Sequence, residues 1–161
     1  MNERTLDIAD ATAMEVLGAA LARHVPAGCL VQLEGDLGAG KTTLVRGFLH
    51  GLGHRGSVRS PTYTLVEPYE FEAGPAGVVT VYHLDLYRLG DPEELEWIGI
   101  RDLLDARSIA LVEWPERGRG VLPPADLTIA ISYRDGGRRV VLSGHSDAGR
   151  RSVRELAAGS N

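Results

Sequence analysis

Cysteine is almost absent from this chain, since Cys29 is the only one among its 161 residues. A single thiol cannot form a disulfide within the chain, which excludes a disulfide-stabilised fold. Cys29 also begins a short apolar run, Cys29-Leu30-Val31. This position favours a buried structural thiol over a reactive one.

Long hydrophobic runs are also lacking: no stretch approaches the roughly 18 consecutive apolar residues of a membrane span. The stretch Met1–Asp10 is acidic and lacks the basic-then-apolar order of a secretion signal. Hydrophobic residues make up 43% of the chain and charged residues 24%, which is typical of a folded, water-soluble protein. We expect one compact domain over residues 1–161, located in the cytoplasm and without membrane contact.

The chain has no excess of positive charge, because its formal net charge is -5. Nothing in the overall charge favours direct binding to nucleic acid, so any such role would run through a partner. Lysine is nearly absent as well: Lys41 is the only one, against sixteen arginines.

That one lysine stands in a complete phosphate-binding motif. The segment Gly35-Asp36-Leu37-Gly38-Ala39-Gly40-Lys41-Thr42 matches G-x-x-x-x-G-K-[ST]. Glycines let backbone N–H groups approach a phosphate closely, and the helix that follows adds partial positive charge at its N-terminus. The lysine is expected at the β and γ phosphates, and the next hydroxyl at a bridging Mg²⁺. The expected nucleotide-binding residues are Gly38, Ala39, Gly40, Lys41, Thr42 and Thr43.

Hydrophobic periodicity places this motif between a strand and a helix. Thr12 and Glu15 have the spacing of a capping box, which predicts that the chain opens with a helix reaching His24. Further helices are predicted at 44–52, from 91, and at 147–158. Strands are predicted at 29–34, 65–69, 78–84, 109–112, 127–133 and 138–143.

The strand and turn types define the expected fold class. Residues 109–112 are continuously apolar, as in a strand buried on both faces of a parallel sheet. The turn Arg134-Asp135-Gly136-Gly137 has the composition of a hairpin and joins the last two strands. We expect an α/β, single-domain, three-layer fold of the P-loop NTPase type, with a mostly parallel central sheet and antiparallel C-terminal strands.

Two carboxylates at strand ends compete for the metal. We assign Glu113 to Mg²⁺ with Thr42, because its apolar strand belongs beside the strand that carries the loop. Asp85 would then orient the attacking water or hold the switch segment, and a solvated acid at a strand end is the alternative. The expected catalytic residues are Lys41 and Asp85. His83 is interpreted as a structural neighbour, since no further His or Cys supports a transition-metal site.

The nucleotide is expected to be ATP. A guanine-reading Asn-Lys-x-Asp motif cannot occur here, because the only lysine is Lys41 and the only asparagines are Asn2 and Asn161. Trp114 follows the metal-binding candidate Glu113 directly, and packing is favoured for it over stacking on a substrate.

Four sequence blocks, at 35–43, 60–66, 83–89 and 112–116, resemble those of the bacterial TsaE (YjeE) family in order and spacing. The resemblance covers about residues 10–133. It implies a small P-loop ATPase required to form N6-threonylcarbamoyladenosine at position 37 of tRNAs that read codons beginning with A. It implies TsaD and TsaB as partners, with ATP binding and slow hydrolysis acting on their complex and tRNA involved only indirectly.

The resemblance also implies residue roles. Gly38 to Thr43 would hold phosphates, Thr42 and Glu113 the magnesium, and Asp85 the hydrolytic site. The segment from Ser60 to Thr64 would be a switch-like loop. Ala11, in the stretch Asp10 to Thr12, would contact the adenine.

Two rival interpretations stay open. A small-molecule kinase would use the same loop, but it would need an acceptor pocket and an Arg-rich lid, for which only Arg117-Gly118-Arg119-Gly120 is available. A nucleotide sensor would bind ATP and never hydrolyse it. If an arginine in this chain supplies transition-state charge, the candidates are Arg88 and Arg117.

Overall fold

The structure, a computed structural model, describes residues 2–61, 64–73, 75 and 77–158. Thr62 and Tyr63, in the predicted switch-like loop, lie outside the described residues. In chain order the elements are β1 (Glu3–Ile8), α1 (Ala11–His24), β2 (Leu30–Glu34), α2 (Lys41–Gly51), β3 (Val66–Glu72), β4 (Val78–Asp85), α3 (Glu93–Trp97), α4 (Ile100–Leu103), β5 (Ser108–Glu113), β6 (Leu127–Arg134), β7 (Gly137–Gly144) and α5 (Asp147–Ala158). A 3₁₀ turn, Pro115–Gly118, lies between β5 and β6.

The seven strands form one mixed sheet in the order β1-β7-β6-β2-β5-β4-β3. The four central strands, β6, β2, β5 and β4, are mutually parallel, and antiparallel pairs close both ends of the sheet. The predicted α/β class, with a parallel centre and antiparallel C-terminal strands, is therefore confirmed. Glu113 lies opposite both Leu33 of β2 and Asp85 of β4, so the carboxyl ends of these strands meet at one edge.

The strand β5 separates two hydrophobic cores. All six of its residues are buried. Ile109 and Leu111 belong to the core shared with α1, α2 and α5, whereas Ala110 and Val112 belong to the core shared with α3 and α4. This alternation follows from the two-residue period of a strand, and it confirms the three-layer arrangement.

The N-terminus differs from the prediction that a helix opens the chain. Strand β1 comes first and pairs with β7, from Glu3 opposite Ser143 to Ile8 opposite Arg138. The helix cap also moves, because the Oδ1 atom of Asp10 accepts a hydrogen bond from the N–H of Ala13 at 2.9 Å. A side-chain oxygen that bonds the N3 amide marks the cap, so the helix begins before Thr12.

Other local predictions hold with shifted ends. Strand β3 lies at the sheet edge, as predicted from Pro68, but extends to Glu72. The hairpin turn at Asp135 and Gly136 has both residues at positive φ, 43° and 83°. Cys29 is buried, which raises its thiol pKa to about 11, as expected of an unreactive cysteine. Within the described part of the chain, no helix is both long and apolar enough to cross a bilayer.

Candidate functional site

The glycine-rich loop lies between the end of β2 and the start of α2. Gly40 caps α2 in a left-handed conformation with φ of 118°, and no side chain caps this helix end. Gly38 has φ of 77°, and a Cβ atom there would lie 3.0 Å from the hydroxyl of Tyr133. Both positions therefore require glycine, and they leave the N-terminus of α2 open to an anion.

The backbone N–H of Ala39, one of the predicted phosphate-binding residues, already has a hydrogen-bond partner within the loop. The N–H of Ala39 donates to the carbonyl of Asp36 at 3.1 Å, closing a turn within the loop. The loop amides best placed to serve an anion are therefore those of the neighbouring glycines and of the first turn of α2.

Lys41 is a buried cation, with 4% of its surface exposed. Its ammonium donates a hydrogen bond to the carbonyl of Gly35 and lies 3.5 Å from the ring centroid of Trp114. Burial lowers the pKa of Lys41, and nearby carboxylates, Glu113 first, partly oppose that shift. An arriving phosphate would supply the negative charge that this desolvated ammonium needs.

The hydroxyl of Thr42 joins the loop to the end of β5. It donates to the Glu113 carboxylate, at 2.9 Å from Oε2 and 3.1 Å from Oε1. Ser60 Oγ lies 2.7 Å from Oγ1 of Thr42. A hydroxyl next to a carboxylate is the hard-oxygen donor set that Mg²⁺ prefers, so these residues fit the predicted metal.

His83 also contacts the carboxylate of Glu113. Its Nε2 atom lies 2.6 Å from Oε2 of Glu113, and both side chains are buried. Because a carboxylate only accepts, Nε2 carries the proton, which leaves Nδ1 without a partner among the described atoms. In the described part of the chain no cluster of three His, Cys, Asp or Glu side chains could hold a metal ion. In the structure His83 is a direct hydrogen-bond neighbour of Glu113.

Asp85 lies directly opposite Glu113 on the adjacent strand. Its Oδ1 atom accepts from the N–H of Tyr87 at 3.0 Å. Burial raises the pKa of Asp85 and the charge of Glu113 adds to the increase, while the hydrogen bonds from Tyr87 and Ser60 oppose it. The carboxylate is therefore more basic than an ordinary aspartate and faces the same space as Lys41.

Two adjoining cavities contain all the predicted site residues. The first, of about 210 Å³, is lined by the loop and by Thr42, Asp85 and Glu113. The second, of about 310 Å³, is lined by Ala11, Ala39 and neighbouring residues. Gly38, Gly40 and Thr43 line both.

Trp114 has a left-handed backbone with φ of 56°, which is unusual for a bulky residue. Its ring contacts the ammonium of Lys41 and lies 4.9 Å from the ring of Tyr87. These contacts agree with the packing role favoured from the sequence. The strained backbone at the end of β5 thus places an aromatic face beside the lysine of the loop.

The sequence analysis missed two residues that contact the loop. Tyr133 donates to the carbonyl of Leu37 at 2.8 Å, and Arg138 donates to the carbonyls of Ala39 and Gly38 at 2.9 and 3.2 Å. Both belong to the β6–β7 hairpin. Only the hairpin turn signalled their placement, since residues beyond Tyr133 carry no motif.

The model of the family described as threonylcarbamoyl adenosine biosynthesis protein TsaE matches residues 8–141. This chain belongs to the TsaE family. The match includes all four sequence blocks and both hairpin residues, Tyr133 and Arg138. The resemblance inferred from the sequence is therefore confirmed.

Individual TsaE relatives agree with this assignment. The tRNA threonylcarbamoyladenosine biosynthesis protein TsaE of Haemophilus influenzae is 52% identical over 130 residues, covering 81% of this chain and 79% of the relative. The Bacillus subtilis protein of the same name is 39% identical over 128 residues, covering 80% and 75%. The crystal structure of Bacillus subtilis YdiB superposes with a TM-score of 0.81 at 27% identity, covering 99% of this chain and 97% of YdiB.

Proposed function

We propose that this chain binds ATP with Mg²⁺, hydrolyses it slowly, and thereby supports formation of the threonylcarbamoyl group on N6 of adenosine 37 in tRNAs reading codons that begin with A. The observation that carries the proposal is the contact of the Thr42 hydroxyl with Glu113, beside the buried ammonium of Lys41. The name shared by its TsaE relatives supports the pathway.

We assign the phosphates to the first cavity and the adenine to the second. Backbone amides of the loop and Lys41 bind the β and γ phosphates, and Thr43, on the wall of both cavities, reaches the α phosphate. The second cavity receives the adenine, with Ala11 against the base. Asp10 lines it too, and holds the start of α1 through its bond to Ala13.

Thr42 and Glu113 would hold Mg²⁺, which when bound neutralises charge on the phosphate oxygens. Asp85 accepts a hydrogen bond from the attacking water and directs it. Its raised pKa suits this role, because a proton acceptor works best when its pKa approaches the working pH. Lys41 stabilises the charge on the transferred phosphoryl group.

Among the described residues, no arginine lines the cavity that contains Lys41, which supports slow hydrolysis by the isolated chain. Arg88 lines a neighbouring groove with Asp85, and the guanidinium of Arg117 lies 5.4 Å from the ring centroid of Tyr87. We propose that TsaD and TsaB close over the site and complete it. The acidic net charge fits a cytoplasmic protein that meets tRNA only through those partners.

The small-molecule kinase is the alternative, and the packing around Gly118 weighs against it. Gly118 is buried, and a Cβ there would lie 2.9 Å from side-chain atoms of Leu86, Leu95 and Leu122. The lid-like segment suggested by the sequence, Arg117 to Gly120, is thus anchored to the core through Gly118. Opening it as a lid would disrupt these contacts.

Phosphate release by the purified chain, measured with and without TsaD and TsaB, tests the proposal. We expect slow release that the partners accelerate and that Lys41→Ala and Thr42→Ala abolish. Arg55→Ala, an exposed cation outside the site, is the control and should behave as wild type. Phosphoryl transfer to a metabolite would establish the kinase instead, and absence of single-turnover hydrolysis with both partners present would establish the sensor.

A further inference from the structure

The β6–β7 hairpin contacts the phosphate-binding loop beside the second cavity, which Arg138 also lines. Arg138 begins its contact directly after the hairpin turn, with Nε donating to the carbonyl of Ala39 and Nη2 to that of Gly38. Tyr133 is its partner in the antiparallel register and donates to the carbonyl of Leu37. Three consecutive carbonyls of the loop therefore accept side-chain hydrogen bonds from one hairpin.

The side chains of Arg138 and Tyr133 also contact each other. The guanidinium of Arg138 lies 4.2 Å from the ring centroid of Tyr133, within the range of a cation–π contact. A third bond, from Nη1 of Arg138 to the carbonyl of Gly137, fixes the guanidinium against its own strand. These contacts restrict the guanidinium of Arg138 to one orientation against the loop.

Because peptide groups are planar, the hydrogen bonds from the hairpin also orient the backbone N–H groups of the loop. In a planar trans peptide, the C=O of one residue and the N–H of the next point in opposite directions. Fixing the carbonyls of Leu37 and Ala39 towards the hairpin therefore turns the N–H groups of Gly38 and Gly40 towards the opposite side. Glycines rotate freely without such restraint, so these two amides need an external anchor.

We propose that Arg138 and Tyr133 are positioning residues that hold the loop in its anion-binding shape before the nucleotide arrives. This inference rests on the proposed nucleotide binding at the loop. Preorganisation raises affinity because the loop loses less conformational freedom on binding. The charge of Arg138 also polarises the peptide groups it contacts and strengthens their amides as donors.

Arg138→Met removes the bonds to the loop and keeps most of the side-chain volume. We expect it to weaken binding of a fluorescent ADP analogue and of ATP by the same factor, about tenfold, because nucleotide binding must then also order the loop. Single-turnover hydrolysis at saturating ATP should stay near the wild-type rate, since Arg138 lines the second cavity and not the one that contains Lys41 and Asp85. Arg138→Lys should recover part of the affinity, and the control Arg134→Met, exposed on the same hairpin, should lose none.

The outcomes separate the two claims. If wild type fails to bind either nucleotide, the proposed function is wrong. If wild type binds and Arg138→Met binds equally well, the positioning role is wrong. It is also wrong if Arg138→Met loses affinity and hydrolysis rate together and to the extent that its lowered melting temperature accounts for. Should Arg138→Met not fold, Tyr133→Phe decides: it keeps the ring and deletes one bond, and unchanged affinity would overturn the proposal.

Discussion

The charge of Glu113 is predicted to set the magnesium dependence of nucleotide binding. Glu113→Gln removes that charge and keeps the shape. A glutamine oxygen at the Oε2 position still accepts from both Thr42 and His83, so the fold should survive. Loss of a group that ligates or orients a metal typically costs about 10- to 100-fold in metal affinity.

We therefore expect the half-saturating Mg²⁺ concentration for binding of a non-hydrolysable ATP analogue to rise by about 10- to 100-fold in Glu113→Gln. This factor corresponds to roughly 1.4 to 2.7 kcal/mol. Calorimetric titrations of Mg²⁺ at fixed nucleotide measure it directly. Affinity in the presence of a chelator should change far less, because the loop and Lys41 are untouched.

The control is Glu116→Gln, the same chemical change at an exposed position three residues further along the chain. It should leave the magnesium titration as in wild type. Asp85→Asn should shift the titration less than Glu113→Gln does. The opposite order would exchange the roles of the two carboxylates and refute the reasoning.

Three further predictions concern ionisable groups of the site and core. Asp85→Asn should abolish hydrolysis and yet raise the melting temperature at pH 7. The pKa of Asp85 is higher in the folded than in the unfolded protein, so stability is lost as pH rises from the unfolded pKa near 3.8 through the folded pKa. A lower melting temperature would contradict this. His83→Leu leaves Glu113 without its buried donor, so magnesium affinity should fall about tenfold; an unchanged titration would make His83 mere packing. Cys29 should resist alkylation at pH 8 in the folded protein and react readily in urea; equal rates would show an accessible thiolate.

The centre of the fold could be predicted because its signals are local. The continuous apolar run before Glu113 identified a strand buried on both faces, and the structure places that strand beside the one carrying the loop. Once two parallel strands are neighbours, their carboxyl ends meet at one edge. The proximity of Thr42 and Glu113 follows from that alone.

The missed features depend on pairing between distant parts of the chain. Strand β1 is held by β7, whose residues follow it by more than a hundred positions, and its own sequence has little apolar alternation. The contacts of Tyr133 and Arg138 with the loop are equally remote. Local periodicity does not report them, because it reads one element at a time. The register of the hairpin determines which of its side chains face the loop.

The sheet register also explains how two strand-end acids acquire different tasks. Glu113 and Asp85 are opposite each other, so their negative charges repel, and the two side chains have different hydrogen-bond partners. Glu113 accepts bonds from Thr42 and His83 in a buried setting, which suits a fixed anionic ligand. Asp85 is left with a raised pKa from burial and from that neighbouring charge, which suits a group that takes up a proton or a water hydrogen. In the proposed reaction the charge of Glu113 thus adds to the effect of burial on Asp85, and replacing Glu113 by a neutral residue should alter both metal binding and the hydrolytic step.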